Sequence, residues 1–358
     1  MAEREGVNLP MTSTVDREPM RRALRAALRG PAADPNPRVG AVVLDAAGEV
    51  VGEGHHAGAG TPHAEVVALA QAGERARGGT AYVTLEPCSH TGRTPPCTRA
   101  LLDAGVAAVV YAVSDPSAEA GGGAQVLRGH GVRVSEGAAA VGAELAQEAE
   151  QLVAAFSFAV RHGRPRVVWK MATTLDGRIA AADGSSAWIT SPEARADAQQ
   201  LRAASGAVMV GTGTALADDP SLTARHDDGT LRERQPLRVV VGHRDLPQGA
   251  RLLDGQAETL RLPTHDPAEA LSALHARQVR QVLLEGGATL AAACWRAGLI
   301  DEVVSYLAPA LLGAGPAAVG DLGITTIDGI ARLEVTDLRR VGPDIRFTAR
   351  PVGTQKEI

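Results

Sequence analysis

The stretch PCSHTGRTPPC constrains this chain more than any other: two cysteines stand with eight residues between them, and the Pro, Gly, Thr and His around them build tight turns about something small. The spacing of Cys88 and Cys97 permits a disulfide. A third cysteine, Cys294, is then left over, and the opening MAEREGVNLPMTSTVD is polar and charged, unlike a secretory signal. Together these predict a reducing, cytoplasmic setting. There, metal binding or catalysis is the better reading of the pair, and it requires further ligands.

Those ligands are offered upstream by PHAEVVALA, in which His63 and Glu65 open a helix with apolar positions at Val66, Val67, Leu69 and Ala70. Zinc favours imidazole and thiolate, and a catalytic zinc takes three protein ligands and keeps one place for water. His63, Cys88 and Cys97 supply the three. Glu65 can take a proton from that water and return it to a leaving amine. A histidine at a helix start is otherwise a cap, and separated cysteines are otherwise small core residues. His90, between the cysteines, is a surplus ligand or a loop-ordering or substrate-side residue, and Cys294 in AAACWRAG is a core residue.

At 358 residues, 45% hydrophobic and 22% charged, the chain predicts about two globular domains. No run approaches a membrane span. The net charge of −5 provides no broad basic field, which disfavours nucleic acid as a partner. Residues 1–14 read as a flexible extension. Asp16 caps an amphipathic helix with Met20, Leu24, Ala27 and Leu28 on one face, and GAVVLDAAGEVVGEGHH reads as a β-hairpin. Helices and strands then alternate up to an Ala-rich stretch over 141–160, ending at the turn RHGRP. This predicts one layered α/β domain over 15–163 and a second over 164–352, with strands VVWKMA, GAVMVG, LRVVVG, QVLLEGG and DEVVSYLAP and two late strands near Leu333 and Ile345. Residues 226–264 carry no clear pattern.

The His-x-Glu, Pro-Cys and distant Cys arrangement resembles that of the zinc nucleobase deaminases. The long loop between the cysteines, with DPNPRVG and GEGHH, resembles the deaminase half of the bacterial bifunctional riboflavin-biosynthesis deaminase/reductase family. The resemblance implies a cytidine-deaminase-like three-layer α/β/α domain. It implies zinc on His63, Cys88 and Cys97, Glu65 as proton shuttle, and Asn36 and His55 in the substrate pocket. Where that family shows an Asp-Pro-Asn-Pro segment, this chain has DPSAEAGGGA, with Ser117 at the Asn position.

In the second half only Lys170 interrupts an arginine-dominated basic set: of 36 basic residues, the one other lysine is Lys356. A strand-end lysine followed by Thr173, Thr174 and Asp176 can orient a polar substrate or donate a proton; otherwise it is a surface lysine. GTGTALADDPSLTAR and LLEGGATLA place glycines and hydroxyls after apolar strands, where backbone amides can receive phosphate. With KMATTLDGRIA, WITS and APALLG they resemble the reductase half of the same family, in the same order. That implies a dihydrofolate-reductase-like α/β domain using NADPH. Ala172, Trp188, Thr214, Asp218, Gly287, Ala288, Thr289 and Leu290 would then meet the cofactor. Ser186, Arg202, Leu222, Arg225 and Glu285 would meet the substrate, and Lys170 and Asp176 would act at the sugar. After LRVVV this chain has Gly242, His243 and Arg244 in place of the family's Asp-Ser-like pair, with Arg244 a candidate for a 2′-phosphate. The whole then reads as a homo-oligomeric enzyme acting on a phosphorylated pyrimidine. The other readings are a nucleic-acid-base deaminase with an appended domain, or a deaminase carrying a non-catalytic nucleotide-binding module.

Overall fold

The computed structural model describes residues 17–91, 95–117 and 120–353. The expected extension over 1–14 and the proposed cap Asp16 lie outside them. The chain divides into two compact units: residues up to Pro31 with Arg38–Ala154, and Ala32–Pro37 with Ala155 onward.

In the first unit, α1 (Glu18–Ala27), the hairpin β1 (Gly40–Leu44) and β2 (Val50–His55), and α2 (Ala64–Ala72) are followed by β3 (Thr80–Leu85), α3 (Cys97–Ala104) and β4 (Ala108–Val113). Then come α4 (Gly123–Gly129), β5 (Arg133–Glu136), α5 (Gly137–Val141) and α6 (Ala143–His162). The sheet runs β2-β1-β3-β4-β5, antiparallel across the first two pairings and parallel across the last two. Both faces are covered, and the strand second from the edge, β1, is accordingly apolar and buried at every position. In β1, Ala41 and Val43 face a core with α2, α3 and α4, while Val42 and Leu44 face one with α1 and α6. The expected three-layer arrangement is therefore present.

Helix α2 lies unusually close to β2, and glycine allows it. A side-chain carbon on Gly52 would stand 2.1 Å from the Ala68 carbonyl oxygen, and one on Gly54 would stand 2.3 Å from that of Ala64.

The second unit holds β6 (Arg166–Thr174), α7 (Pro192–Ala203), β7 (Ala207–Gly211), α8 (Thr212–Asp218), β8 (Leu237–Val241) and β9 (Thr259–Leu262). After these come α9 (Pro267–Ala276), β10 (Gln281–Leu284), α10 (Ala288–Arg296), β11 (Glu302–Ala308), β12 (Leu333–Val341) and β13 (Asp344–Pro351). Its sheet order is β12-β13-β11-β6-β10-β7-β8-β9, parallel from β11 to β9. Trp169 and Val167 of β6 face α9 and α10, whereas Val168 and Ala172 face α7. Lys170 lies between these last two and so points to the α7 face. The chain runs from β6 out to β9, then returns to insert β10 between β6 and β7, so the parallel strands reverse order beside β6. Ligands of open α/β sheets bind at the carboxyl ends of strands at such a point.

The division into units falls inside α6, ahead of the turn where the sequence suggests it. The last turns of α6 carry Phe156 and Phe158, over which the guanidiniums of Arg280 and Arg164 stand at 5.5 and 4.8 Å. Pro35 is drawn into the same unit, its carbonyl accepting from Arg280 Nε at 2.8 Å.

Candidate active sites

The first site is assembled by two helix starts and one strand end. His63 is the N-cap of α2, Cys97 is the first residue of α3, and Cys88 follows β3. Glu86 fixes the strand exit: its carboxylate accepts from the backbone N–H of Asp115 at 3.2 Å and of Ala124 at 3.0 Å. The Cys97 N–H then points at Cys88 Sγ from 3.3 Å, and the Thr98 N–H donates to the Cys88 carbonyl at 3.2 Å. All three cysteines are free thiols. The disulfide alternative is thereby set aside.

One ligand atom from each of His63, Cys88 and Cys97 lies within 4.8 Å of the others, with His63 Nδ1 at 3.1 Å from Cys97 Sγ. Hydrogen bonding from Cys97 and His63 pulls the Cys88 thiol down to about 4 despite burial. The same contact and burial push Cys97 up. A divalent cation would let both be thiolates, and this soft nitrogen-and-sulfur set fits zinc.

Glu65, in the first turn of α2, is buried, and burial pushes its carboxyl up despite a hydrogen bond with Cys97. Burial thus favours the protonated carboxyl over the charged one.

His56, next to the expected pocket residue His55, adjoins the metal ligands: it is buried, and its ring meets that of His63 edge-on at 5.3 Å between centroids. His56 and Pro62 also pair, Nδ1 to carbonyl oxygen at 3.1 Å. His55 has the strand parity of Glu53, whose carboxylate is bridged by Arg22 and Arg29 from the α1 side. Burial and Arg29 lower the His55 pKa. Asn36 lies in the short segment that groups with the second unit, its N–H bonded to Asp34 Oδ1 at 3.0 Å.

The second site centres on Lys170. Strand register sets Trp169 opposite Leu284, so Glu285 emerges from β10 alongside Lys170. Arg202 of α7 grips Glu285 with two hydrogen bonds, Nε at 2.6 Å and Nη2 at 2.9 Å, and its Nη1 donates to the Thr223 carbonyl at 3.1 Å. Burial opposes the Glu285 charge, but Arg202 and Lys170 bring the carboxyl down to about 2. Burial, aided by Arg202 and opposed by Glu285, lowers the Lys170 ammonium below its usual range. Arg202, expected to meet the substrate, has its guanidinium committed to protein groups. The Thr223 carbonyl, which no local motif marks, is its third support.

Asp176 accepts from Thr174 Oγ1 at 2.6 Å and from the backbone N–H groups of Leu312 and Gly313, and these bonds hold its carboxyl down to about 2. It is a fixed anion and no proton donor at neutral pH.

The glycine turns also meet. The Gly287 N–H donates to Thr214 Oγ1 at 2.8 Å, and Gly287 to Leu290 form the N-cap and first turn of α10. Ala172 is half-buried on β6, and Asp218 ends α8 exposed. Ser186 is exposed, as is Trp188, which carries the Arg195 guanidinium over its ring at 4.4 Å. The Leu222 side chain is buried in the α7-side core, which leaves its backbone for a ligand. The Arg225 guanidinium is held by the Gly229 carbonyl at 2.8 Å and by Gln256 at 3.2 Å.

Among the described residues no helix is long and apolar enough to cross a membrane. Residues 13–113 match the family description "cytidine and deoxycytidylate deaminase zinc-binding region", and residues 165–347 match the "RibD C-terminal domain". The chain is 50% identical to the riboflavin biosynthesis protein RibD of Mycobacterium tuberculosis over 311 residues, covering 87% of this chain and 90% of that one. Against the Escherichia coli K12 protein of the same name it is 43% identical over 366 residues, covering 91% and 96%. A solved Acinetobacter baumannii RibD superposes with a TM-score of 0.83 at 38% identity, covering 94% of this chain and 98% of that one. A Thermotoga maritima structure described as a diaminohydroxyphosphoribosylaminopyrimidine deaminase/5-amino-6-(5-phosphoribosylamino)uracil reductase gives 0.83 at 32% identity, with the same two coverages. Identity of this extent across both units makes the chain a member of the RibD family of riboflavin biosynthesis proteins.

Proposed function

We propose that this chain performs two successive steps of riboflavin biosynthesis, one in each unit. The first is hydrolytic deamination of 2,5-diamino-6-ribosylamino-4(3H)-pyrimidinone 5′-phosphate. The second reduces the ribosyl group of 5-amino-6-(5-phosphoribosylamino)uracil to ribityl, with NADPH. The observation that carries the reading is the pairing of a His63, Cys88, Cys97 cluster having a buried carboxyl beside it with a second sheet presenting Lys170 and Glu285 at its point of strand reversal.

Zinc, when bound, supplies a Lewis acid that makes water nucleophilic near neutral pH. His63, Cys88 and Cys97 hold it, and His56 packs against the His63 ring and fixes its orientation. Glu65 removes a proton from water and delivers it to the departing amine, so that water and amine become carbonyl and ammonia. In the second unit NADPH supplies a hydride. Lys170 donates the proton taken by the sugar oxygen that the reduction releases, and Glu285 holds Lys170 in its charged form. Arg202 positions Glu285. Asp176 orders the 312–313 turn beside the end of β6. Trp188, Thr214, Asp218, Ala172 and the Gly287–Leu290 turn line the nicotinamide cofactor. Ser186, Arg225 and the Leu222 backbone line the substrate of the reduction, and His56 that of the deamination.

The protein works as a homo-oligomer in a reducing cytoplasm, without nucleic acid as partner. Edge strand β12 is exposed along nearly its whole length, with Val335 at 58% and Leu338 at 68% among its charged residues, and an unpaired strand edge offers a second copy of the chain a surface to cover. Three cysteines, none of them in a disulfide, suit a compartment where thiols stay reduced.

The test is one assay on the purified, zinc-loaded protein supplied with the diaminopyrimidinone. Ammonia release without NADPH, followed by NADPH oxidation in equal amount once it is added, is the expected result. Oxidation without ammonia, or ammonia with no later oxidation, would remove one half of the proposal.

A further inference from the structure

Packing does not hold Trp188 in place. Its side chain is 75% exposed, whereas Trp169 on β6 is 4% exposed. Exposed side chains change rotamer within nanoseconds, so an indole this open keeps one orientation only where specific contacts fix it.

Arg195 provides them. Its guanidinium stands over one face of the Trp188 ring at 4.4 Å, and its Nη1 donates to the Thr190 carbonyl at 2.7 Å. One side chain thus grips the ring and the backbone just beyond it. Among the described residues Arg195 pairs with no carboxylate, which leaves its charge to the indole. The opposite face of the ring stays open.

Arg195 in turn stands on a fixed base. It lies in the first turns of α7, whose N-cap Ser191 accepts from the Ala194 N–H. In a capping box the third helical residue returns a carboxylate or amide to the N-cap N–H, and Ala194 has neither to return. Asp344, buried at the start of β13, supplies it: Oδ2 accepts from the Ser191 N–H at 2.7 Å. An anion there is also favoured by the positive end of the helix. The helix then leads to the reacting groups. Arg202 follows Arg195 by about two turns or 10 Å on the same face, and it grips Glu285 beside Lys170.

We infer that Arg195 is a positioning residue for the reduction: it holds the Trp188 ring as a fixed wall with one open face, and Asp344 holds Arg195 in register. This rests on the reductase reading above, in which Trp188 lines the nicotinamide cofactor. Because Arg195 acts through Trp188, its effect must vanish when the indole is removed.

The experiment is a double-mutant cycle on the full-length protein, read as kcat and KM for NADPH oxidation on deaminated substrate and as energy transfer from tryptophan per bound NADPH. Arg195→Leu keeps the bulk and removes the cation. It should lower kcat by about tenfold or more, the scale of a wall shifted by part of an ångström, and weaken the energy transfer, with KM for the pyrimidine within about twofold. Arg195→Lys should recover part of both. In a Trp188→Ala background, adding Arg195→Leu should cost less than about twofold more. Asp344→Ala should act in the same direction as Arg195→Leu, and Asp344→Asn, which keeps an oxygen for the Ser191 N–H, should restore most of the rate. Losses that multiplied in the double variant, or wild-type kcat and energy transfer in Arg195→Leu, would overturn the inference and leave the reductase reading standing. Wild-type protein that oxidised no NADPH on deaminated substrate would remove both.

Discussion

Replacing Gly54 by alanine tests the link between packing and chemistry in the first unit. The new methyl would stand 2.3 Å from the Ala64 carbonyl oxygen, whereas ordinary contacts of such a carbon begin near 3.4 Å. The start of α2 must therefore retreat by about 1 Å. Overpacking of this kind costs about 1–3 kcal/mol, against about 5–15 kcal/mol for a typical domain, so the unit remains folded. Ala64, however, sits between His63 and Glu65, and a displacement of about 1 Å at reacting groups can lower a rate about 100-fold. The assay compares zinc content, ammonia release and NADPH oxidation on deaminated substrate. Ammonia release should fall steeply, while oxidation, which depends on the other unit, should not change. Gly52→Ala is the control: it strikes the Ala68 carbonyl at 2.1 Å, one turn farther from the ligands. It should destabilise as much and slow ammonia release less. Wild-type zinc content and ammonia release in Gly54→Ala, or equal losses in both variants, would refute the reasoning.

Three further outcomes are expected. Glu65→Gln should lower ammonia release by about 100-fold or more, the usual worth of a positioned proton carrier, and leave oxidation of deaminated substrate intact; loss of both in a folded protein would show that the sites are not separate. Arg202→Leu leaves Glu285 without its partner and should destabilise the second unit by about 3–5 kcal/mol in thermal unfolding. Because the depressed Glu285 carboxyl stabilises the fold above its ordinary value of 4.5 and loses that effect as pH falls toward about 2, this variant should also lose acid sensitivity over that window. Lys170 must be protonated to donate, so NADPH oxidation should decline as pH rises through a value below 10.5, and Glu285→Gln, which removes the charge that raises it, should move the decline to lower pH. A decline that stayed in place or moved upward would exclude Lys170 as the donor.

The metal ligands were legible in the sequence because few residue types bind zinc and each stood beside a helix start or turn. The central strands of both sheets, such as β1, β4, β7, β8 and β10, were legible because they are short apolar runs bounded by turns. Helix α7 was less legible: its stripe of Ala194, Ala198 and Leu201 is mostly alanine, and polar contacts add to what holds it, Asp197 accepting from Tyr306 and Arg346 and Arg202 gripping Glu285. Its start was still written in Ser191 and Pro192, the serine accepting from the Ala194 N–H. Strand β9 escaped because it is a four-residue edge with little apolar character, in the stretch that carried no pattern. The pairing of Arg202 with Glu285 spans 83 residues, a separation that no local pattern reveals.

The placement of His56 against His63 was hidden for a different reason. Val51 packs against the core beside α2, so alternation counted from it would carry Glu53 and His55 to that side. Opposite it, however, Val43 pairs with Gly52 and Leu44 with Val50, which leaves Val51 as an extra residue and reverses the parity beyond it. Gly52, Gly54 and then His56 consequently face α2. Glycines carry no hydropathic sign, so the reversal is silent in composition. It shows only in the close approach of α2 to Gly52 and Gly54, and that same approach brings His63 against the one histidine able to meet it.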